Sequence, residues 1–330
     1  MKRGRSGFFR ASGNLHIVRA RGFRITTRHL PSPIPAPRSS GYLGPPAASL
    51  YWAAYGPPGV PRLLLLHGGP GAHHDYLLPQ MLDLATDFEL IFYDQRGGGR
   101  SKVADRTPIT WRTHVDDLSL VVSELGGAEP SLVGYSWGGL LALLYAVEVE
   151  SVSVQTAPPS RMVLIDPAPV TGAYRRQFEQ EFNRRQNGAE IQKLRAELDS
   201  SGLRARDPEA HRQRLFELSV AGYFADPRLA RDLTPFRVTG RVQQSVWESL
   251  GDYDLPKRLT GVRCPTLILH GIDDPIPVES SRAAAAAIPD ARLVLLEASG
   301  HVPYVEAREP LLREIRQFLH ETGRYRLQPT

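Results

Sequence analysis

Unbroken apolar runs of three to five residues recur along this 330-residue chain, separated by longer amphipathic stretches. Residues 63–66, 90–93, 131–133, 162–165, 266–269 and 293–296 are such runs. A strand with one wet face alternates apolar and polar positions, so unbroken runs predict strands covered on both faces. The intervening stretches 76–84, 113–125 and 140–146 carry apolar spacing or helix-forming composition and predict helices. Strands alternating with helices predict an α/β fold, with a mostly parallel central sheet and helices on both faces. Such sheets place their sites in the loops at the carboxyl ends of the strands.

Residues 168–260 break this rhythm. They are charged and helical in pattern, notably over 174–198 and 211–223, and contain no good core strand. This predicts a helical cap over 168–260, inserted between two parts of one core, 22–167 and 261–330. Residues 22–56 are expected to hold the first hairpin strands, interrupted by the proline-rich stretch from Pro31 to Pro37. Residues 1–21 are expected to be a basic, poorly ordered tail, and no internal repeat is apparent.

The sharpest chemical signal is Gly134-Tyr135-Ser136-Trp137-Gly138. It has the form G-x-S-x-G between an apolar strand and an apolar helix, the context of a nucleophile elbow. A serine nucleophile needs a base, and the base needs an orienting acid. In this chain order the acid follows the serine and the histidine comes last. The strand 266–269 runs into His270-Gly271-Ile272-Asp273-Asp274-Pro275, and the strand 293–296 runs into Ser299-Gly300-His301. Ser136, Asp274 and His301 are therefore the candidate catalytic residues. Asp274 is preferred over Asp273 because Pro275 follows it, where the chain must leave the strand direction. An acyl-transfer enzyme also needs N–H groups aimed at the developing oxyanion. The residue after the nucleophile, Trp137, supplies one. The loop His67-Gly68-Gly69-Pro70-Gly71 supplies the other, assigned to Gly69.

Three segments carry a resemblance to a known family: His67-Gly68-Gly69-Pro70-Gly71, Tyr93-Asp94-Gln95-Arg96-Gly97-Gly98-Gly99-Arg100-Ser101, and the elbow with Trp137 and Gly138-Gly139. Together they resemble the α/β-hydrolases, and among them the prolyl aminopeptidase (proline iminopeptidase) family. The resemblance covers roughly residues 60–167 and 260–322. It implies a serine hydrolase that releases N-terminal proline or a similar small residue, with no cofactor. It places the catalytic acid four residues after the histidine of an H-G-x-x-D loop, at Asp274. It also implies a cap acid that holds the substrate's amine, for which Glu248 of Trp247-Glu248 is the candidate. Asp94 and Arg96 are expected to brace loops rather than act in chemistry.

Composition narrows the alternatives. The single cysteine, Cys264, excludes an internal disulfide scaffold. No paired Cys/His spacing suggests a metal site. No run approaches the ~18 apolar residues a membrane span needs. No apolar segment follows the basic first residues, so a secretory signal is not expected and a cytoplasmic location is. The net charge of +5 is concentrated early, because ten basic residues precede the first acid, Asp75, leaving 30 basic against 35 acidic residues beyond them. The body is thus mildly acidic, and a nucleic-acid partner is not expected. A small-molecule or short-peptide substrate is, with the oligomeric state left open. Esterase action on small esters and ligand binding on a non-catalytic hydrolase scaffold stand as the alternative functions.

Overall fold

The computed structural model describes residues 15–18, 34–103, 108–151 and 156–321. Its strands are β1 (Leu15–Val18), β2 (Ser39–Leu43), β3 (Leu50–Tyr55), β4 (Arg62–Leu66), β5 (Glu89–Tyr93), β6 (Ser131–Tyr135), β7 (Arg161–Ile165), β8 (Thr266–Gly271) and β9 (Ala291–Leu296). They form one sheet in the order β1-β9-β8-β7-β6-β4-β5-β3-β2. Every pairing from β1 to β5 in that order is parallel, while β3 and β2 close the far edge as antiparallel strands. The helices are α1 (Trp111–Leu125), α2 (Trp137–Ser151), α3 (Gly172–Gln186), α4 (Ala189–Ser200), α5 (Leu203–Arg206), α6 (Pro208–Val220), α7 (Gly240–Leu250), α8 (Pro256–Leu259), α9 (Val278–Ala287), α10 (Pro303–Glu306) and α11 (Arg308–His320).

Side-chain alternation sorts the apolar strands onto two cores. Leu64, Leu66, Leu132, Met162, Leu164 and Ile268 pack with α1, α2 and α9. Their neighbours Leu63, Leu65, Val133, Val163, Leu267 and Leu269 pack on the opposite face with α11. Helix α2 is buried along its whole run from Trp137 to Val147, which its continuous apolar sequence requires.

Several elements differ from the sequence expectation. Four residues of the segment expected to be a loose tail form β1, which adds to the sheet beside β9 with Leu15 opposite Leu293. The helix expected over 76–84 is two 3-10 stretches, His74–Leu77 and Gln80–Thr86. Pro79 lacks an N–H and pushes Leu78 into an extended conformation, φ −99 and ψ 147, so one α-helix cannot run through. The stretch 174–198 is two helices, broken at Asn187-Gly188 where both residues favour caps over helix interiors. Helix α6 begins before the expected 211, because Asp207 caps the N–H groups of Glu209 and Ala210 and Pro208 occupies the first turn.

The helical segment between β7 and β8 leaves and rejoins the core through a short stem. Gly172 N–H donates to Tyr253 O at 2.9 Å and Leu255 N–H to Val170 O at 3.0 Å. The segment then ties onto the loops at the carboxyl end of the sheet. Thr239 N–H donates to Gly71 O at 2.9 Å, His301 N–H to Tyr223 O at 2.7 Å, and the Arg185 guanidinium to Asp273 O.

Helix α2 crosses β4 so closely that a Cβ on Gly138 would lie 2.1 Å from Leu66 O. Backbone cannot yield as a flexible side chain would. Gly138→Ala is expected to destabilise the fold by about 2 kcal/mol or more, read as a lowered urea midpoint at unchanged slope.

Candidate active site

The turn between β6 and α2 holds its serine under strain. Ser136 has φ 52, a left-handed conformation uncommon for a residue with a Cβ. The turn is over-determined by hydrogen bonds. Ser136 N–H donates to Ile165 O at 2.9 Å, and Ser136 O accepts from Ala168 at 2.8 Å and Gly139 at 2.9 Å. Two glycines make room for it. A Cβ on Gly134 would meet Gly138 O at 2.4 Å, and one on Gly68 would meet the Ser136 Cβ at 2.8 Å.

The three residues singled out in sequence meet here. Ser136 Oγ lies 2.9 Å from His301 Nε2, and His301 Nδ1 lies 2.9 Å from Asp274 Oδ2. Asp274 Oδ1 accepts the Ile276 N–H at 2.7 Å. An ionised Asp274 has no proton to give, so His301 Nδ1–H donates to it and Nε2 is left to accept the serine hydroxyl proton. Asp273 is exposed, and its bonds are made by its backbone, with its N–H donating to Ser299 O at 2.9 Å and its carbonyl accepting from Arg185. Burial lowers the His301 imidazole to about 4, so the ring is neutral at rest. Burial pushes the Asp274 carboxyl up, while neighbouring Asp166 and the N–H of Ile276 pull it down. Tyr135 O–H donates to the His301 carbonyl at 2.9 Å, and the Tyr135 and Tyr223 rings pack on the imidazole at 5.3 and 5.2 Å. Glu306 accepts from Gly300 N–H at 2.7 Å and from Ala225 N–H at 2.8 Å, fastening the histidine loop to the helical insertion.

The residues of the two proposed oxyanion donors, Gly69 and Trp137, line the same cavity as Ser136. Trp137 opens α2, where first-turn N–H groups lack intrahelical acceptors. Gly69 adopts φ 58. Among the described residues neither N–H has an acceptor. A fully buried residue not singled out in sequence joins their two loops. Gln95 Nε2 donates to His67 O at 2.8 Å, Gln95 Oε1 accepts from Trp137 Nε1–H at 2.8 Å, and Gln95 N–H donates to His67 Nε2 at 3.0 Å. That last bond makes Nδ1 the protonated nitrogen of His67, and Nδ1–H reaches Gly68 O at 2.9 Å. Asp94 braces its neighbours, as expected. Burial raises its carboxyl, but the His74 ring at 2.6 Å and the Arg100 N–H at 2.8 Å prevail and hold it well below the usual range. Arg96 Nε binds Asp117 Oδ2 at 2.9 Å.

A cavity of about 630 Å³ opens over Ser136, walled by Phe178, Tyr223, Phe236 and Trp247 of the insertion. Glu248 lines it, exposed, with its carboxylate accepting from Gln244 Nε2 at 2.7 Å. A second acid missed in sequence, Glu179, lines it too and pairs with Arg175 at 2.9 Å. Arg175 in turn lies over the Trp247 ring at 4.5 Å. Below the site, Asp166, His270 and Asp274 bring side-chain atoms within 4.8 Å of one another. Both His270 nitrogens and both Asp274 oxygens are already taken by protein partners, so these are not read as metal ligands.

Residues 63–314 match the alpha/beta hydrolase family, and the chain belongs to it. It is a hydrolase by that membership. Among curated relatives, it is 28% identical over 260 residues to a proline iminopeptidase of Lactobacillus delbrueckii subsp. bulgaricus, covering 74% of this chain and 84% of that one. It is 28% identical over 277 residues to a proline iminopeptidase of Thermoplasma volcanium, covering 79% and 89%. Among solved structures, it is similar to a proline iminopeptidase of Mycobacterium smegmatis, with TM-score 0.59, 23% identity and coverage of 86% and 98%. It is equally similar in fold to an enol-lactonase from Burkholderia xenovorans LB400, with TM-score 0.60, 21% identity and coverage of 85% and 100%. Among the described residues no helix is long and apolar enough to cross a membrane.

Replacing Gln95 by methionine keeps the volume but strands a buried carbonyl on His67 and a buried indole N–H on Trp137. Gln95→Met is expected to destabilise the fold by about 2–4 kcal/mol, with a shifted tryptophan emission, in chemical denaturation followed by fluorescence.

Proposed function

We propose that the chain is a serine hydrolase working through an acyl-enzyme, most plainly an aminopeptidase that releases N-terminal proline or a similar small residue. The observation that supports it is the unbroken chain from Ser136 Oγ to His301 to Asp274, with both links at 2.9 Å. Ser136 attacks the substrate carbonyl while His301 Nε2 takes the hydroxyl proton. Asp274 holds Nδ1–H and stabilises the imidazolium that forms. The unpartnered N–H groups of Gly69 and Trp137 receive the oxyanion. His301 then protonates the leaving group, and water repeats the attack on the acyl-enzyme.

The segment 168–260 acts as a cap, excluding water above the serine. The relatives in sequence are proline iminopeptidases, which favours a peptidase. The substrate amine then sits near Glu179 and Glu248 on the cavity wall. One observation favours the second reading, a carboxylesterase of small esters. Both wall acids already have partners, Arg175 and Gln244, and an ester needs no carboxylate there.

The deciding assay compares proline p-nitroanilide with p-nitrophenyl acetate, for wild type and Ser136→Ala. Serine-dependent release from the anilide supports the aminopeptidase, and a loss of about 10⁴-fold or more in Ser136→Ala is expected. Release from the ester alone supports the esterase. Serine-independent turnover counts against the role given to Ser136, and release from neither substrate brings the ligand-binding protein back into contention.

The pH profile tests the histidine separately. The active form carries a neutral His301, and burial lowers its pKa, so protonation requires a lower pH than for a free imidazole. kcat/KM is expected to stay level as pH falls through about 6.5, the ordinary histidine value, and to drop only below it. An acid limb at or above the ordinary value would contradict the assignment.

A further inference from the structure

Asp166 follows β7 directly, is 0% exposed, and sits at φ 40, a strained backbone for an aspartate. Its Oδ1 accepts the Gly271 N–H at 2.8 Å, while Oδ2 is buried with no partner. An ionised, half-satisfied carboxylate in such a place is costly. The groups facing it do not relieve the charge. Asp274, on the β8–α9 loop, brings another carboxylate within 4.8 Å. His270, on β8, lies with Nδ1 at 3.7 Å from Oδ1. That ring donates from Nε2 to Ile276 O at 3.1 Å, so Nδ1 carries a lone pair and accepts from Ser281 Oγ at 2.9 Å. Tyr135 on β6, Tyr304 and Glu306 on α10, and His301 beyond Asp274 complete the surroundings. None of these is a fixed cation; the Arg185 guanidinium, bonded to Asp273 O, faces Asp274 and favours its ionised form. A proton on Oδ2 would answer both problems, giving the orphan atom a role as donor and removing one of two adjacent charges.

We propose that Asp166 is a positioning residue held as the neutral acid, whose Oδ2–H donates to the Asp274 carboxylate and keeps Asp274 as the ionised partner of His301. It rests on the reading of Asp274 as the group that orients His301. Two adjacent buried carboxyls share one proton. Asp274 receives donors on both oxygens, from Ile276 N–H and His301 Nδ1–H, whereas Asp166 Oδ2 receives none, so the proton resides on Asp166. The donated bond steadies the Asp274 anion most when His301 is neutral, and so lowers the pH at which the His301–Asp274 couple gains a proton.

Two variants and two readouts test this. Asp166→Asn keeps a donor, the volume and tolerance of positive φ. Asp166→Gly keeps the backbone conformation and removes the donor. The infrared difference between wild type and Asp166→Asn at neutral pH is expected to contain the C=O stretch of a protonated carboxyl, lost in the variant. The acid limb of kcat/KM is expected to be unmoved in Asp166→Asn. In Asp166→Gly it is expected to rise by about one pH unit, with activity at neutral pH down about tenfold or more. The absence of a protonated-carboxyl band overturns the proposal. So does an acid limb that falls by about one unit in Asp166→Asn, which would mean that an anion had been removed. An acid limb unmoved in both variants would mean a merely structural role and also overturns it. The infrared arm needs no turnover, so a wild type inactive on both substrates counts against the hydrolase reading alone and leaves this proposal to be decided by the band.

Discussion

The site depends on one strained residue held where backbone meets backbone. Ser136 stays at φ 52 because its N–H and carbonyl are both taken, by Ile165 on β7, by Ala168 after it, and by Gly139 in α2. Strain of this kind persists only where the surroundings leave the chain no alternative. The surroundings here are dense enough that three glycines cannot carry a Cβ. Gly134 and Gly138 let the strand and helix close on each other, and Gly68 lets the neighbouring loop close on the serine. The tight elbow and the exposed hydroxyl are thus one feature.

Polar satisfaction then propagates outward from that turn. Gln95 uses its backbone N–H and both ends of its amide to join the His67 loop to Trp137, so the two unpartnered N–H groups at Gly69 and Trp137 are set by one side chain. Glu306 does the same for the histidine loop, linking Gly300 to Ala225. The helical insertion is therefore tied by hydrogen bonds to the loops that carry His301 and Gly71, and its packing bears on the position of His301 as well as on the shape of the cavity.

What was legible in the sequence follows the range of each physical signal. Apolar runs located six of the strands, because burial on both faces leaves almost no polar position within them, Ser131 and Thr266 standing only at their starts. Ser136, Asp274 and His301 were legible because each residue type stands just past such a run, and the structure brings the three together. The break at Pro79 was also written in the chain, but the apolar spacing on either side masked it. β1 was hidden because four residues within a basic segment gain their pairing only from β9, nearly 280 residues away. Gln95 sits inside a segment that was noticed, but nothing local tells a buried amide from a solvated one. Arg175 and Glu179 lie on a charged helix whose periodicity does not mark which face looks into the cavity. Asp166 had a signal that was passed over. It is followed by Pro167 at the end of an apolar strand, the same arrangement that distinguished Asp274 before Pro275.

The charges around the cavity constrain substrate choice beyond what the fold can say. Below the cavity floor, His67, His270 and His301 are all kept neutral by burial. Among the residues lining the cavity, Arg175, Glu179 and Glu248 bring charge to the wall formed by α3 and α7, where Glu179 is compensated by Arg175 and Glu248 is bonded to the neutral Gln244 amide. These two acids are not equivalent toward a cationic amine. Glu179 must give up or share an arginine that is itself held over Trp247, whereas Glu248 need only release an amide and has no ion-pair partner among the described residues. For the amine substrate proposed above, electrostatics favours Glu248 over Glu179 as the anchor, while Phe178, Tyr223 and Trp247 give the cavity an aromatic wall suited to the apolar part of a peptide or an ester.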